Sequence, residues 1–291
     1  MSASGVLLIH KPQGPTSHDI VNKIRRIYHT KSVGHTGTLD PMATGLLVLC
    51  VGRGTKLVPY LSGADKVYEA VAQKGLETDT EDITGTVTAN SDEKGWIEEK
   101  DLAPFLGRIQ QLPPMYSAKK IKGKKLYEYA REGIEVERKP HWITIHSLSL
   151  THQGEGEFSL KIHCSSGTYI RTLIKDIAHT AGTMATMTQL IRTQVGPFSL
   201  EDALSLEELE AMSPGELEGA LIPMEEALDY EKIHLPEKFR KYVENGRPVP
   251  IPTEEKHYRV YVGEDFYGIG QGSGPQNLLT MKKLLKTNHS E

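Results

Sequence analysis

The longest apolar run of the 291-residue chain, residues 46–51, directly follows a segment rich in glycine and threonine. Six residues are far too few to cross a bilayer, and a short run bounded by turn residues is typical of a buried strand. Further along, residues 143–150 and 158–164 alternate apolar and polar side chains, which predicts a pair of antiparallel strands. We therefore expect an α+β protein built on a sheet, without a membrane-spanning segment.

Local patterns extend this expectation along the chain. A strand over residues 66–72 follows from its two-residue alternation, and Asp40 falls in the loop before the buried run. Apolar residues at helical spacing predict a helix capped by Ser17, and Ser205 with Glu208 has the spacing of a capping box. Further helices are predicted over residues 102–109, 126–131, after 168 and around 187–191.

Composition is that of an ordinary globular protein, with 38% hydrophobic and 25% charged residues. The N-terminus lacks the charged start, apolar stretch and cleavage site of a secretory signal, so we expect a cytoplasmic protein. Cys50 and Cys164, the two cysteines, have no close Cys or His neighbour along the sequence, which argues against a zinc site.

The distribution of charge matters more than the net charge of -4. Residues 201–231 hold 11 acidic and no basic residues, which leaves 34 basic against 27 acidic residues elsewhere. Five lysines cluster within seven positions, and this pattern fits either a solvated surface or contact with the phosphates of RNA or DNA. These lysines are Lys119, Lys120, Lys122, Lys124 and Lys125.

Several common chemistries lack their sequence patterns. There is no phosphate-binding Gly-x-x-x-x-Gly-Lys-Ser/Thr loop, and the glycines near residue 270 do not have dinucleotide-binding spacing. Neither a His-Glu-x-x-His helix nor a Gly-x-Ser-x-Gly elbow occurs. The sequence therefore gives no support to nucleotide hydrolysis or to metalloprotease, nicotinamide or serine-hydrolase chemistry.

Residues 34–45, Gly-His-Thr-Gly-Thr-Leu-Asp-Pro-Met-Ala-Thr-Gly, closely resemble the catalytic motif of the tRNA pseudouridine synthase B family, which modifies uridine 55 in the T-loop of tRNA. Three other segments agree in order with motifs of that family, namely residues 11–14, 65–68 and 166–171. Residues 114–133 are similar to its basic RNA-gripping insertion. The terminal strands resemble a PUA-type RNA-binding domain.

The resemblance implies a fold and two domains. We expect a mixed, largely antiparallel central sheet flanked by helices and loops, in a catalytic domain over residues 1–231. A small PUA-like β-barrel would follow over residues 232–291. The implied substrate is the T-arm of tRNA, and the implied protein is a monomer that needs no cofactor, no metal and no protein partner.

The resemblance also implies roles for individual residues. Asp40 would be the nucleophile, which must be ionised, and a guanidinium such as that of Arg171 favours the charged form of a carboxyl group. Tyr68 would stack on the extruded base, at roughly 1–3 kcal/mol, and take part in catalysis. The remaining implied contacts are His35, Tyr169 and Leu190 with the substrate nucleotide, and Lys11 and the five clustered lysines with RNA.

Other readings of the same residues stay open. From the residues alone, an aspartate such as Asp40 is an ordinary turn residue, and Arg171 an ordinary surface arginine. The protein could be an RNA-binding folding factor in which catalysis is secondary, or a base hydrolase that pairs Asp40 with a second carboxylate. The sequence also leaves open whether Asp40 attacks the ribose or the base.

Overall fold

The structure is a computed structural model that describes residues 3–92 and 94–285. The predicted domain at the end of the chain therefore extends, over residues 286–291, outside the described residues. The α-helices of the described part are α1 (Ser17–Ile27), α2 (Val58–Leu61), α3 (Glu99–Leu102), α4 (Leu126–Arg131), α5 (Ile170–Thr180), α6 (Leu206–Ala211), α7 (Pro214–Gly219) and α8 (Arg240–Glu244).

The strands fall into four sheets. The first half of the chain supplies β1 (Gly5–Lys11), β2 (Val33–His35), β3 (Thr44–Val51), β4 (Lys66–Lys74), β5 (Leu76–Thr78), β6 (Val87–Asn90), β7 (Gly107–Gln111), β8 (Lys120–Ile121) and β9 (Lys124–Lys125). The second half supplies β10 (His141–Gln153), β11 (Glu157–Cys164), β12 (Ala185–Val195), β13 (Phe198–Ser199), β14 (Glu231–Leu235), β15 (Val249–Pro250), β16 (His257–Val262), β17 (Asp265–Gly272) and β18 (Leu278–Leu284).

In the described part of the chain the central sheet has nine strands, in the order β1-β3-β12-β4-β11-β10-β7, with β2 paired to β3 and β13 to β12. Only the contact between β12 and β3 is parallel. The remaining ladders of this sheet are antiparallel. The prediction of a mixed, largely antiparallel central sheet is confirmed.

Helices cover the sheet where its strands are apolar. Ile20, Val21 and Ile24 of α1 pack on the β1 end, and α5 packs its apolar stripe on the middle of the sheet, against Leu160 and Ile162 of β11. Each such side chain contributes roughly 1.5–3 kcal/mol when it is fully removed from water. This packing fixes the start of α5 over the centre of the sheet, and Arg171 is its second residue.

The end of the chain forms a separate five-stranded sheet in the order β14-β16-β17-β18-β15. It is curled into a half-barrel, as expected of a PUA-like domain, and no ladder joins β14 to β15 within residues 3–92 and 94–285. It packs on the rest of the protein partly through Arg53, whose guanidinium donates to the carbonyl of Leu285 at 2.6 Å.

Two helix predictions were wrong. In residues 102–109, α3 ends at Leu102, a short turn that contains Pro104 follows, and β7 begins at Gly107. A helix cannot continue through Gly107, because its φ is +81°. Residues 187–191 lie in β12. The register shift after Met187 changes which positions of β12 face the core, so the buried Met187 and Leu190 stand three apart, which mimics helical spacing.

The helix predicted after Ser17 is present, but its N-cap is Thr16, which forms a capping box with Asp19. The helix over residues 126–131 and the Ser205 capping box match the prediction. No helix among the described residues is long and apolar enough to cross a membrane. Both cysteines are buried and unbridged.

Candidate active site

Asp40 lies in the loop between β2 and β3, and the backbone of this loop is anchored at Leu39. The buried hydroxyl of Ser17 donates to the carbonyl of Leu39 at 3.0 Å and accepts from its N–H at 2.8 Å. Ser17 sits at the start of α1, so the helix fixes the residue before Asp40. The Ser17 side chain, which the sequence suggested as a cap, instead holds the loop.

Arg171 reaches this loop from the first turn of α5. Its Nη2 lies 3.0 Å from Oδ2 of Asp40, and the side chains of Arg171 and Asp40 are 6% and 39% exposed. The carboxylate is thus accessible from a cleft while its partner is buried. The structure brings together the two residues that the sequence assigned to the reaction.

The other side of the Arg171 guanidinium contacts a second carboxylate. Nη1 lies 3.3 Å from Oδ2 of Asp82 and donates to the carbonyl of Thr80 at 2.6 Å, while Nη2 also donates to the carbonyl of Tyr116 at 2.9 Å. Asp82 is itself buried and accepts from the Thr84 N–H at 3.0 Å. Because every charge has a partner, the guanidinium has one orientation available, and losing one partner would leave a buried charge unpaired.

A cavity of about 310 Å³ opens beside Asp40, within the roughly 300–1,000 Å³ typical of small-molecule sites. Four other residues that were predicted to belong to the site line this cavity: Tyr68, Tyr169, Arg171 and Leu190. Its lining contains no cysteine or histidine among the described residues, so the groups that face the space are hydroxyl, phenol, carboxylate, guanidinium and ammonium. Such groups suit a polar organic substrate with an apolar ring face.

Tyr68 is placed by β4, where it stands opposite Ile162 of β11 and Arg192 of β12. The side chain is 7% exposed, and burial raises the pKa of Tyr68, which keeps the phenol neutral. Tyr169 caps α5, and both its backbone N–H and carbonyl are held by the buried amide of Gln111, at 2.9 and 3.0 Å. Both aromatic rings are therefore fixed by backbone structure before any ligand binds.

Arg192 was not predicted as a site residue, yet its side chain holds the backbone of the Asp40 loop by hydrogen bonds. The side chain is 1% exposed, and Nε donates to the carbonyl of Leu46 at 2.8 Å. Nη2 and Nη1 donate to the carbonyls of Gly37 and Thr38 at 3.0 and 3.3 Å. A Cβ on Gly45, where φ is +102°, would lie 2.4 Å from the Arg192 carbonyl, so only glycine permits this close approach.

The structure differs from the prediction that Lys11 contacts RNA. The side chain has no exposed surface, and its ammonium donates to the carbonyls of Ala43, Pro12 and Pro41 at 2.7, 2.9 and 3.3 Å. Burial lowers the pKa of Lys11 to about 8, partly offset by the charge of Asp40. Lys11 thus supports the Asp40 loop from inside the protein, because β1 points it beneath that loop.

His35 ends β2 close to the cleft, but it is not part of the cavity lining. Burial, together with the charge of Arg192, lowers the pKa of His35. Its contact with a substrate nucleotide stays a prediction.

The clustered lysines lie on a small hairpin, β8–β9, and on the residues around it. Lys122 and Gly123 both have positive φ at its turn, and Lys120 and Lys122 are exposed. Lys124 pairs with Glu132, and Lys125 lies over the ring of Tyr127. The exposed lysines are available to phosphates, and RNA contact by this group stays a prediction.

Two signals in the sequence could have pointed to the missed residues. Asp82 stands between Thr80 and Thr84, a spacing at which threonine hydroxyls can satisfy a buried carboxylate. Arg192 directly follows the apolar pair Leu190 and Ile191, and a charged residue beside apolar ones can be buried with dedicated partners. Neither signal reveals which groups are the partners, because these come from loops distant in sequence.

Two family models together match most of this chain. The model of the TruB family pseudouridylate synthase N-terminal domain matches residues 25–170, and that of the tRNA pseudouridylate synthase B C-terminal domain matches residues 171–229. The tRNA pseudouridine synthase B of Bacillus pumilus (strain SAFR-032) is 44% identical over 98% of this chain and 95% of that protein. The one of Bacillus subtilis (strain 168) is 47% identical over 86% and 85%.

Solved structures share the fold at low sequence identity. A Cbf5-Nop10-Gar1 complex contains a chain with a TM-score of 0.73 at 22% identity, covering 97% of this chain and 85% of that one. An H/ACA RNP bound to a substrate RNA containing 2'-deoxyuridine gives 0.73 at 21%, with coverage of 98% and 86%. By its family models, its relatives and its fold, the chain belongs to the TruB family of tRNA pseudouridine synthases.

Proposed function

We propose that this tRNA pseudouridine synthase, an isomerase by its family, acts on uridine 55 in the T-loop and uses Asp40 as its nucleophile. The observation that carries the proposal is the ion pair of Asp40 with the buried Arg171 at the edge of a nucleoside-sized cavity. A carboxylate held in this way can attack an electrophilic carbon without first losing a proton or reorienting.

The reaction needs no oxidant or reductant. The bond between the ribose C1′ and the base N1 breaks, the base rotates, and C1′ bonds to C5 of the base. The proton leaves C5, and N1 gains one, so atoms and electrons balance. Asp40 forms a transient covalent bond to the nucleoside, this bond breaks again and frees the carboxylate when the product forms, and Arg171 keeps the Asp40 side chain in place.

A uridine in a folded loop reaches such a cavity only after extrusion, which costs a few kcal/mol. Stacking on Tyr68, with Tyr169 and Leu190 along the wall, offsets this cost by roughly 1–3 kcal/mol. Tyr68 also takes part in removing the C5 proton: its neutral hydroxyl accepts that proton while it passes its own proton on. His35 contacts the extruded nucleotide from the end of β2.

Outside the cavity, the lysine-rich insertion and the C-terminal domain bind the RNA. The lysines of the insertion attract phosphates without reading bases, and the C-terminal domain, residues 232–291, adds a PUA-like surface. Selection of uridine 55 then follows from the shape of the T-loop, because RNA recognition generally targets splayed loops. We further propose that the enzyme acts as a monomer in the cytoplasm on the T-arm of tRNA.

Asp40→Asn tests the nucleophile, because it removes the charge and keeps the shape. With tRNA labelled with tritium at C5 of uridine, we expect no tritium release above background and a tRNA dissociation constant within about twofold of wild type. Asp229→Asn, at an exposed aspartate outside the cavity lining, is the matched control and should keep full release. Turnover by Asp40→Asn would overturn the assignment.

The site of modification is tested with the wild-type enzyme and two transcripts. A tRNA carrying cytidine at position 55 should give no pseudouridine, whereas an isolated T-arm hairpin with uridine 55 should be modified. If Asp40→Asn lacks tRNA binding as well, the proposal fails in favour of an RNA-binding role for that loop.

A further inference from the structure

A second cluster of reactive side chains lies on the face of the central sheet opposite the cavity. Along β11, Ile162 and Cys164 face the core, so His163 between them points to the other side. The neighbouring strand β4 buries Lys66 and Tyr68 on the core side in the same way. His163 is therefore separated from the active site by the thickness of the sheet.

A β-bulge places a second histidine beside the first. The pairing of β10 with β11 moves from Ile145 opposite Cys164 to Ser147 opposite His163, which leaves His146 as an extra residue. The rings of His146 and His163 are 4.7 Å apart between centroids. Bulges re-aim side chains in this way and are over-represented beside functional sites.

A carboxylate completes the group. Oδ2 of Asp65, just before β4, lies 3.1 Å from Nε2 of His146. The backbone of Asp65 is fixed, because its carbonyl accepts from the Gly196 N–H at 2.8 Å. One donor atom from each of Asp65, His146 and His163 lies within 4.8 Å of the others, a combination found in one place among residues 3–92 and 94–285.

We propose that Asp65, His146 and His163 bind a divalent transition-metal cation of the Zn²⁺ type. Two imidazoles and one carboxylate are ligands that zinc takes at about 2.0–2.2 Å, with water in the open position, whereas Mg²⁺ and Ca²⁺ prefer oxygen ligands alone. Tetrahedral ligands at that distance stand about 3.4 Å apart. The donor atoms can reach this spacing by side-chain rotation. His146 and Asp65 are free to rotate because their side chains are 37% and 46% exposed.

A bound cation would join three strands. It links the β10–β11 hairpin to Asp65, the residue just before β4 and three positions before Tyr68. Since the cation binds the folded arrangement, it would raise the unfolding temperature in proportion to the logarithm of its concentration. The site would thus stabilise the central sheet from the face opposite the cavity. It would take no part in the isomerisation itself.

The test uses the full-length enzyme without a polyhistidine tag, stripped of metal with a chelator and titrated with Zn²⁺ by calorimetry. We expect one site per chain with a dissociation constant in the micromolar range. Co²⁺ in the same site should give visible absorption bands of a low-symmetry, histidine-containing environment. Mg²⁺ at a hundredfold excess should leave Zn²⁺ binding unchanged.

Variants assign the site to these residues. His163→Ala should weaken Zn²⁺ binding at least about tenfold, since even groups that only support metal ligands cost that much when removed. His152→Ala is the matched control, because His152 is an exposed histidine on the same strand β10 outside the cluster. It should bind Zn²⁺ like wild type.

Three results would overturn the proposal: no stoichiometric binding by wild type, wild-type affinity in His163→Ala, or displacement by Mg²⁺. His163→Ala should keep circular dichroism and pseudouridine formation unchanged. The metal measurement and the tritium-release assay therefore fail or succeed independently of each other.

Discussion

Positively charged side chains are buried in the cleft and exposed in the lysine-rich insertion, residues 114–133. In the cleft, Arg171 and Arg192 are 6% and 1% exposed, and each donates to at least three acceptors. In the insertion, Lys120 and Lys122 are exposed on a hairpin whose strands have two residues each. Buried charges with fixed partners orient a reacting group, whereas exposed charges attract a polyanion.

The two regions meet at Tyr116, whose carbonyl accepts from Arg171. The base of the insertion is thus part of the network around Asp40, while its tip is not. If this division is correct, substitutions in the cleft should change the single-turnover rate of tritium release from bound tRNA. Substitutions at the tip of the insertion should change only the affinity for tRNA. The variants below are ordered by the size of the expected effect.

Arg171→Lys should have the largest effect of the four. An ammonium cannot contact Asp40, Asp82 and two carbonyls at once, and hydrogen bonds to charged groups contribute about 1.5–3 kcal/mol each. We expect the single-turnover rate of tritium release to fall at least about 100-fold, with tRNA affinity within about threefold. Arg108→Lys, on the edge strand β7, is the control and should retain the rate. An unchanged rate in Arg171→Lys would remove Arg171 from the mechanism.

Asp82→Asn should slow the same step by about 30-fold. The substitution takes away the carboxylate on the far side of Arg171, and loss of one charge-assisted hydrogen bond corresponds to about 10–150-fold. Asp229→Asn, at an exposed aspartate outside the cavity lining, is the matched control and should keep the wild-type rate. If Asp82 acts through Arg171, the double variant with Arg171→Lys should be no slower than Arg171→Lys alone. Additive losses would show a separate role for Asp82.

The sequence predicted the pair of Asp40 and Arg171. It did not predict Asp82, which contacts the other side of the Arg171 guanidinium. Asp40 was found because its loop carries a long family motif, and the first turn of α5 carries another. Asp82 lies in an acidic stretch with no apolar periodicity, and its flanking threonines indicate a satisfied carboxylate but not that Arg171 is its partner. Long-range pairing of charges is set by the folded sheet, so a local pattern cannot reveal it.

The same limit explains the errors in secondary structure. The alternation that correctly predicted β10 and β11 fails in β12, where the register shift after Met187 leaves the buried Met187 and Leu190 three positions apart. Had β12 been identified as a strand, Arg192 would have been placed on the cavity side, opposite Tyr68. One wrong element therefore concealed one residue of the site.

Arg192→Lys should lower the single-turnover rate by about tenfold and also lower the unfolding temperature. A lysine can reach one or two of the three carbonyls that Arg192 holds, and a buried carbonyl without a donor costs about 1–3 kcal/mol. The loop around Asp40 would then be less fixed. A drop in stability with a wild-type rate would mean that Arg192 supports the fold without positioning the loop.

The double variant Lys120→Ala, Lys122→Ala should have the smallest effect and leave the rate at saturating enzyme unchanged. We expect tRNA affinity to fall about threefold to tenfold near physiological salt. The slope of log affinity against log salt should decrease by about 1–2, because each lost phosphate contact removes roughly 0.7–0.9. Lys100→Ala, Lys161→Ala, a pair of exposed lysines outside the insertion, removes the same charge and should change neither quantity as much. A slower single-turnover rate of the insertion variant at saturating enzyme would contradict this division between cleft and insertion. It would show that the tip of the hairpin also positions the uridine. An unchanged salt slope would instead place the phosphate contacts elsewhere, and the C-terminal half-barrel is then the next surface to test.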